Sequence, residues 1–223
     1  ADKELLSYFF NVIITATREI QKPKTISFLG PEASFTHIAA LSHFKHSGKF
    51  VDQPNLYKIF REVEKKESHF GVIPVENSIE GAVNHTLDLF TDFDLNICAE
   101  HYEPVSHDLL SITGEPKDVI KIYSHPQAIA QCKTWIKNKF SHVQLFETSS
   151  SSKAALLAAD DKAIAAIANR QAAHLYELQI VESKIEDYSG NITRYLIIGK
   201  DIPDPTGNDK TSIMFATSHV PGA

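Results

Sequence analysis

The chain has no apolar run long enough to cross a bilayer. Its longest, Tyr8 to Ala16, contains Asn11 and falls well short of the roughly 20 residues a spanning helix needs. It has no surplus of positive charge either. With 22 Lys and Arg against 28 Asp and Glu, the formal net charge is −6. That argues against nucleic acid or an anionic membrane as partner and leaves room for a local anion site. Cysteine is scarce, and Cys98 and Cys132 have neither metal-ligand nor disulfide-framework spacing, so a reducing, cytoplasmic setting is expected. The opening residues, with Asp2 and Glu4 and no cleavage-like end after the apolar run, do not read as a signal peptide.

Several chemistries lack their signatures. There is no phosphate loop, dinucleotide fingerprint or serine elbow. Eleven histidines are present, but none forms a His-x-x-x-His pair with a nearby acid, and His37, His43 and His46 read as helix surface. No metal and no cofactor are expected. Asp160-Asp161 and Lys65-Lys66-Glu67 read as solvated turns.

What is present is 43% hydrophobic residues in 223, enough for a substantial core. Leu5, Leu6, Phe9, Val12, Ile13, Ala16 and Ile20 fall at helical spacing, ended by Lys22-Pro23. Strand-like and helix-like runs then alternate. Strands are expected at 25–29, 70–74, 119–123, 143–146, 163–167, 180–185 and 193–198. Helices are expected at 34–44, 57–66, 81–90, 126–139, 152–159 and 170–178. Two extended runs, 95–102 and 107–113, have no helix between them. Alternation predicts parallel sheets covered by helices. The interruption splits it into two sets joined by crossovers near 103–106 and 186–190. The fold class is α/β: two α/β lobes with a hinge and a cleft, like type II periplasmic binding proteins.

In such sheets ligands sit beyond strand ends, at helix N-termini that favour anions. Four polar clusters occupy such junctions: Gly30 to Thr36 with Ser34, Pro74 to Gly81 with Glu76, Asn77 and Ser78, Ser124-His125-Pro126-Gln127, and the hydroxyl run Thr148, Ser149, Ser150, Ser151, Ser152. A fifth, Asp187 to Tyr195, sets a glycine turn and then Thr193 and Arg194 before an apolar strand. Each cluster could be helix capping or turn chemistry alone. Five consecutive hydroxyls exceed what one cap needs. Facing one cleft, the clusters would make a carboxylate site for a small, multiply anionic ligand.

In this order the clusters resemble the prephenate dehydratase family, from about Thr25 to Gly199. Gly30-Pro31 through Thr36 is similar to its opening motif, Pro74 to Gly81 to its Glu-Asn-Ser motif, and Ser124 to Gln127 with Gln131-Cys132 to a third. Thr148 to Ser152 resembles its Ser/Thr tract and Thr193-Arg194-Tyr195 its Thr-Arg-Phe signature. Ala33 stands where a glycine is usual and Tyr195 where a phenylalanine is usual. Leu5 to Gln21 resembles the last helix of a chorismate mutase domain, and Lys210 to Ala223 the start of an ACT regulatory domain. The resemblance therefore implies a terminal helix over 1–22, one lobe from 24–103 plus 187–200, a second over 104–186, and a linker with the ACT start over 201–223.

The resemblance further implies that prephenate loses its ring hydroxyl and ring carboxylate to give phenylpyruvate, carbon dioxide and water. It assigns catalysis to Thr193, Glu76 and Asn77. Substrate binding falls to Ser34, Thr36, Ser78, Ser124, Gln131, Thr148, Ser149, Ser150 and Arg194. It implies a cytoplasmic homodimer or higher homo-oligomer that binds prephenate and neither nucleic acid nor membrane. Either Thr193, as hydrogen-bond donor, or Glu76, as a protonated acid, could meet the leaving hydroxyl. On a strand, Arg194 points to the face opposite Thr193. The alternatives are an arogenate dehydratase and a two-lobed carboxylate-binding module without turnover.

Overall fold

The computed structural model describes residues 22–45 and 47–213, with positions 6, 8–10 and 17 before them. Most of the expected helix over Leu5 to Gln21 lies outside the described residues. The composition also predicts a strand over Thr211 to Ala216; its part from residue 214 on lies outside the described residues, and Thr211 to Ile213 are not in a strand.

Two mixed sheets organise the chain. The first contains β1 (Thr25–Leu29), β2 (Lys49–Gln53), β3 (Phe70–Asn77), β5 (Asn96–Pro104) and β11 (Ile192–Gly199), in the order β2-β1-β3-β11-β5, with β4 (Gly81–Ala82) pairing to β3. The second contains β6 (Asp108–Ser111), β7 (Lys121–Ser124), β8 (Gln144–Glu147), β9 (Ile164–Ala168) and β10 (Gln179–Glu182), in the order β10-β6-β9-β7-β8. The helices are α1 (Phe35–Phe44), α2 (Leu56–Glu64), α3 (Asn84–Asp92), α4 (Pro126–Gln131), α5 (Lys133–Lys139), α6 (Ser151–Asp160) and α7 (Arg170–Leu175).

Each sheet has apolar clusters on both faces. Ile26, Phe28, Ala39, Ala40, Val72, Tyr195 and Ile197 pack between the first sheet and α1. Leu56, Ile59, Phe60, Leu89, Leu196 and Ile198 pack between its other face and α2 and α3. In the second sheet an alanine-rich cluster lies under α6 and α7, and Ile122, Ile136, Phe140 and Ile167 pack with α4 and α5. Burying an isoleucine, leucine or phenylalanine side chain contributes about 1.5–3 kcal/mol, so these faces hold the layers together. Gly71 is a close-approach position: an added Cβ would lie 2.6 Å from Ile59 and 2.9 Å from Ile198.

The parallel expectation needs correction. β1 is parallel to β2 and β3, and β7 to β8 and β9. But β11 runs antiparallel to both β3 and β5, and β6 antiparallel to β9 and β10. The helix-free passage from β5 to β6, and the return to β11, reverse the chain without a covering helix. Short β2 was not expected, because Lys49-Phe50-Val51-Asp52-Gln53 has only two apolar residues. The expected helix over 126–139 is broken at Cys132, whose φ is −112° and ψ 12°. The helix expected from Gly81 starts at Asn84, since Gly81 and Ala82 pair with Asn77 and Glu76.

The two crossovers are tied to each other. Val105 N–H donates to the Asn191 carbonyl at 2.8 Å, and Ile185 N–H to the His107 carbonyl at 2.9 Å. Glu186 accepts from the Ser106 hydroxyl and the His107 N–H.

Candidate active site

The site is built on adjacent strands. β3 and β11 place Asn77 opposite Thr193 and Glu76 opposite Arg194, with a register shift before Tyr195, which pairs with Pro74. Alternation then divides the four side chains between two faces. Asn77 and Thr193 share one face and Glu76 and Arg194 the other.

On the first face, hydrogen bonding has a definite polarity. Asn77 Oδ1 accepts the backbone N–H groups of Ile79 and Glu80, at 3.0 and 3.2 Å. Backbone N–H groups only donate, so the Asn77 orientation follows. Its Nδ2 must donate, and does so to Asn191 Oδ1 at 2.7 Å and to Thr193 Oγ1 at 2.8 Å. Asn191 Oδ1 being an acceptor, its Nδ2 donates to Gln131 Oε1 at 3.3 Å. Gln131 Oε1 in turn accepts from His107 Nε2 at 2.8 Å. Thr193 thus receives a hydrogen bond on its oxygen from Asn77, and its own hydrogen is not committed to Asn77.

This network spans both sheets. Asn77 and Thr193 belong to the first, Gln131 ends α4 over the second, and His107 and Asn191 lie on the two crossovers. Thr193 is 8% exposed and Asn191 4%, so the bonds are shielded from water. The Tyr195 hydroxyl lies in hydrogen-bonding reach of Thr36 and Thr193, and burial raises its pKa. The Tyr195 ring lies in the core against α1, so this side chain serves the core with its ring and the site with its hydroxyl.

The other expected residues are placed as follows. Glu76 is turned from Thr193 and faces Arg194, 3.7 Å from its guanidinium, which also bonds Glu100 at 3.1 Å. Neither Glu76 nor Arg194 meets the Asn77–Thr193 face. Ser78 accepts the Ile192 N–H at 3.0 Å and closes the turn beside Asn191. Ser34 caps α1, accepting from His37 N–H and donating to the Leu29 carbonyl. Thr36 is buried next to Tyr195. Ser124 is fully buried and donates to the Ile167 carbonyl at 2.6 Å, with Ser151 Oγ 3.5 Å away.

The hydroxyl tract has mostly structural partners. Thr148 donates to the Ser150 carbonyl and Ser150 caps α6 through Lys153 N–H. Ser152 donates to the Glu32 carbonyl at 2.6 Å. With Asn169, which donates to the Ala33 carbonyl at 2.7 Å, it docks the turn after β1 onto the second sheet. Ala33 enters that sheet's alanine cluster with a φ of 58°. Glycine adopts this left-handed backbone without strain, and alanine does so at a cost. A groove of about 370 Å³ lies between Gly30-Pro31 and α6, walled in part by Ser149, Ser150 and Lys153; neither Asn77 nor Thr193 lines it. Ser149 is therefore placed at this groove.

His107 and Asn191 were not expected. Asn191 lies within the glycine turn and reads in sequence as turn chemistry. His107 is an isolated histidine before an apolar strand, with no sequence signal beyond its place at the crossover. No helix among the described residues is long and apolar enough to cross a membrane. Among them, too, no cluster of His, Cys, Asp and Glu is placed to hold a metal ion.

A family model described as prephenate dehydratase matches residues 26–203. The chain is 41% identical over 221 residues to a bifunctional chorismate mutase/prephenate dehydratase of Aquifex aeolicus, covering 99% of this chain and 61% of that protein. It spans about 61% of the length of such curated relatives. Among solved structures, a prephenate dehydratase of Arthrobacter aurescens in complex with L-Phe superposes with a TM-score of 0.74 at 28% identity, covering 82% of this chain and 63% of that one. The quorum-quenching acylase GqqA superposes with a TM-score of 0.72 at 25% identity, over 80% of this chain and 64% of that one.

Proposed function

The chain belongs to the prephenate dehydratase family, and from that premise we propose that it converts prephenate to phenylpyruvate, carbon dioxide and water. The electron pair of the ring–carboxylate bond enters the ring as carbon dioxide departs, and the ring becomes aromatic as the C–O bond to the hydroxyl breaks. One proton is taken up, because prephenate carries two negative charges and phenylpyruvate one. Hydroxide is a poor leaving group, so a donor must meet it as the bond breaks.

The observation that carries this reading is the Asn77–Thr193 bond of 2.8 Å. Asn77 is held as a donor by two backbone N–H groups, so the Thr193 hydrogen is not drawn to Asn77 and can turn from the Tyr195 hydroxyl to the departing oxygen. A threonine hydroxyl is too weak an acid to surrender its proton unaided. Thr193 acts as a preorganised hydrogen-bond donor to developing charge, with the proton replenished from solvent or a relay. Glu76 fits the acid role poorly, being on the far face beside Arg194. Gln131 offers its amide N–H groups to a carboxylate.

The domain reading is also part of the proposal. Residues 24–103 with 187–200 would form one lobe and 104–186 the other. Residues 1–22 would end a chorismate mutase domain, supported by the alignment of nearly the whole chain with bifunctional relatives. Residues 201–223 would lead into an ACT domain. Cytoplasmic placement is supported by Cys98 and Cys132 both being free thiols. Self-association is supported by Ile120 and Leu145, exposed at the β8 edge of the second sheet. The test is phenylpyruvate formation from prephenate by the purified chain, run beside arogenate. Binding without turnover would leave the non-catalytic reading, and faster turnover of arogenate would change the substrate.

A further inference from the structure

His107 has no part in the reaction just proposed, yet its surroundings are specific. It is 3% exposed and stands on the first crossover, one residue before β6. Its backbone N–H donates to Glu186 Oε2 at 2.9 Å, and its ring meets Phe35 edge-on, with centroids 5.5 Å apart and planes at 86°. Nε2 lies 2.8 Å from Gln131 Oε1. Nδ1 is the buried side-chain polar atom with no hydrogen-bond partner among the described residues.

The tautomer follows from the network polarity. Gln131 Oε1 already accepts from Asn191, so the atom facing His107 is an oxygen, and the ring hydrogen must be on Nε2. That leaves Nδ1 as a buried acceptor without a donor, which is costly. A phenylalanine or leucine would fill the same space without that cost. What the imidazole adds is one N–H donor, and it is directed at Gln131. With two N–H groups on its oxygen, the Gln131 carboxamide cannot turn over. Among the described residues its Nε2 makes no hydrogen bond, so both of its hydrogens are left for a ligand.

We propose that His107 is a positioning residue for Gln131. Its Nε2–H holds the Gln131 oxygen, so that the amide NH2 faces the cleft and donates to the side-chain carboxylate of the substrate. The inference rests on the prephenate dehydratase reading for the identity of that carboxylate. The side-chain carboxylate keeps its charge throughout the reaction, so a bond to it is felt equally in ground and transition states. Losing such a bond raises KM and leaves kcat. Because Gln131 ends α4 while His107 lies on the crossover, the same bond ties the substrate contact to the relative placement of the two sheets.

The experiment compares two replacements. His107→Phe keeps a ring and removes the donor. His107→Gln puts an amide nitrogen near the former Nε2 position. Expected is a rise of ~10-fold or more in KM for prephenate in His107→Phe, with kcat within a few-fold, and recovery of most of that loss in His107→Gln. In a Gln131→Ala background, His107→Phe should add less than about 2-fold, because the two residues act through one contact. Multiplying losses, an unchanged KM in His107→Phe, or a failure of His107→Gln to recover would each overturn the inference. Circular dichroism melts of every variant separate misfolding from a lost contact. A readout free of activity guards against a wrong functional reading: 15N-edited spectra should show the His107 ring proton on Nε2, perturbed by Gln131→Leu. A ring proton on Nδ1 overturns the proposal. Nε2 protonation in a chain that does not turn over prephenate sinks the functional reading instead.

Discussion

Asn77 Nδ2 donates to Thr193 Oγ1 across one rung of the β3–β11 ladder. The direction of that bond is what Asn77→Asp would reverse. An aspartate would still accept the Ile79 and Glu80 N–H groups. It would have no hydrogen for Thr193, and the Thr193 hydrogen would turn toward the new carboxylate, away from the leaving oxygen. We expect Asn77→Asp and Thr193→Ala each to lower kcat by ~10²-fold or more with little change in KM, and Thr193→Ser to retain more activity. A near-normal kcat in Asn77→Asp would end the case for a directed threonine donor.

Glu76 and Arg194 give the contrasting expectation. Their contact is 3.7 Å long and the Glu76 side chain is 58% exposed. Exposed pairs contribute about 0–1 kcal/mol to stability, and Glu76 lies on the face away from Thr193, so Glu76→Gln should cost no more than roughly 5-fold in kcat/KM. Arg194→Gln also takes one of two cations from Glu100, which keeps Lys210, and should act mainly on thermal stability. Were Glu76→Gln as damaging to kcat as Thr193→Ala, the protonated-acid alternative would return.

Much of this arrangement was legible beforehand, and the omissions have physical causes. Amphipathic period and turn residues located most elements, because the apolar faces that bury against a sheet are continuous in sequence. Strand direction is a property of the connections, and nothing local in Ile192 to Gly199 says that it inserts antiparallel between β3 and β5. The resemblance implies catalysis at both Glu76 and Asn77, and Pro74 to Gly81 reads in sequence as a junction between a strand and a helix. β3 continues through Asn77, so adjacent residues 76 and 77 must face opposite ways, as 193 and 194 do. Asn191 and His107 are single polar residues whose partners lie 60 and 24 positions away, at Gln131. No spacing rule brings such pairs together. Within the hydroxyl tract Ser152 holds the Glu32 carbonyl, a use that appears only once the two sheets are docked.

The His107 ring should also leave a mark on stability against pH. Burial lowers its pKa below the ordinary 6.5, against smaller raising effects from Gln131 and the carboxylates of Glu186 and Asp108. The folded protein therefore takes up the proton less readily than the unfolded chain. Stability is fully present above about pH 6.5 and falls as pH drops from there through the folded pKa. His107→Gln, which cannot titrate, should flatten that part of the curve. His43, also lowered by burial and by His101, will contribute a slope of the same sign. The difference between wild type and variant in urea midpoints from pH 7.5 to 5 isolates His107. An identical slope in the variant would show that its ring does not resist protonation.

The docking of the turn after β1 onto the second sheet can be tested at Ala33 and Asn169. Ala33 holds a left-handed φ of 58° while its methyl is buried among Ala154, Ala155, Ala158 and Ala172. Replacing it by glycine relieves ~1 kcal/mol of backbone strain but gives up a buried methyl, about 0.8 kcal/mol, and frees the unfolded chain. We expect Ala33→Gly to change stability by less than ~1 kcal/mol. Ala33→Val must both strain a β-branched residue and overfill the alanine cluster, and should cost ~2–4 kcal/mol. Asn169 caps α7 through the Ala172 N–H and donates to the Ala33 carbonyl. Asn169→Ala removes the cap and leaves that carbonyl buried without a donor, for a loss of ~2–4 kcal/mol. The same turn delivers Ser34, Phe35 and Thr36 to the start of α1, beside Tyr195 and His107. Loosening it should therefore raise KM for prephenate, even at temperatures where the variant remains folded. Thermal melts and steady-state kinetics of Ala33→Gly, Ala33→Val and Asn169→Ala give the ranking directly. If Asn169→Ala melts within a degree of wild type and binds substrate normally, the turn is not the brace between the sheets that its two carbonyl bonds imply.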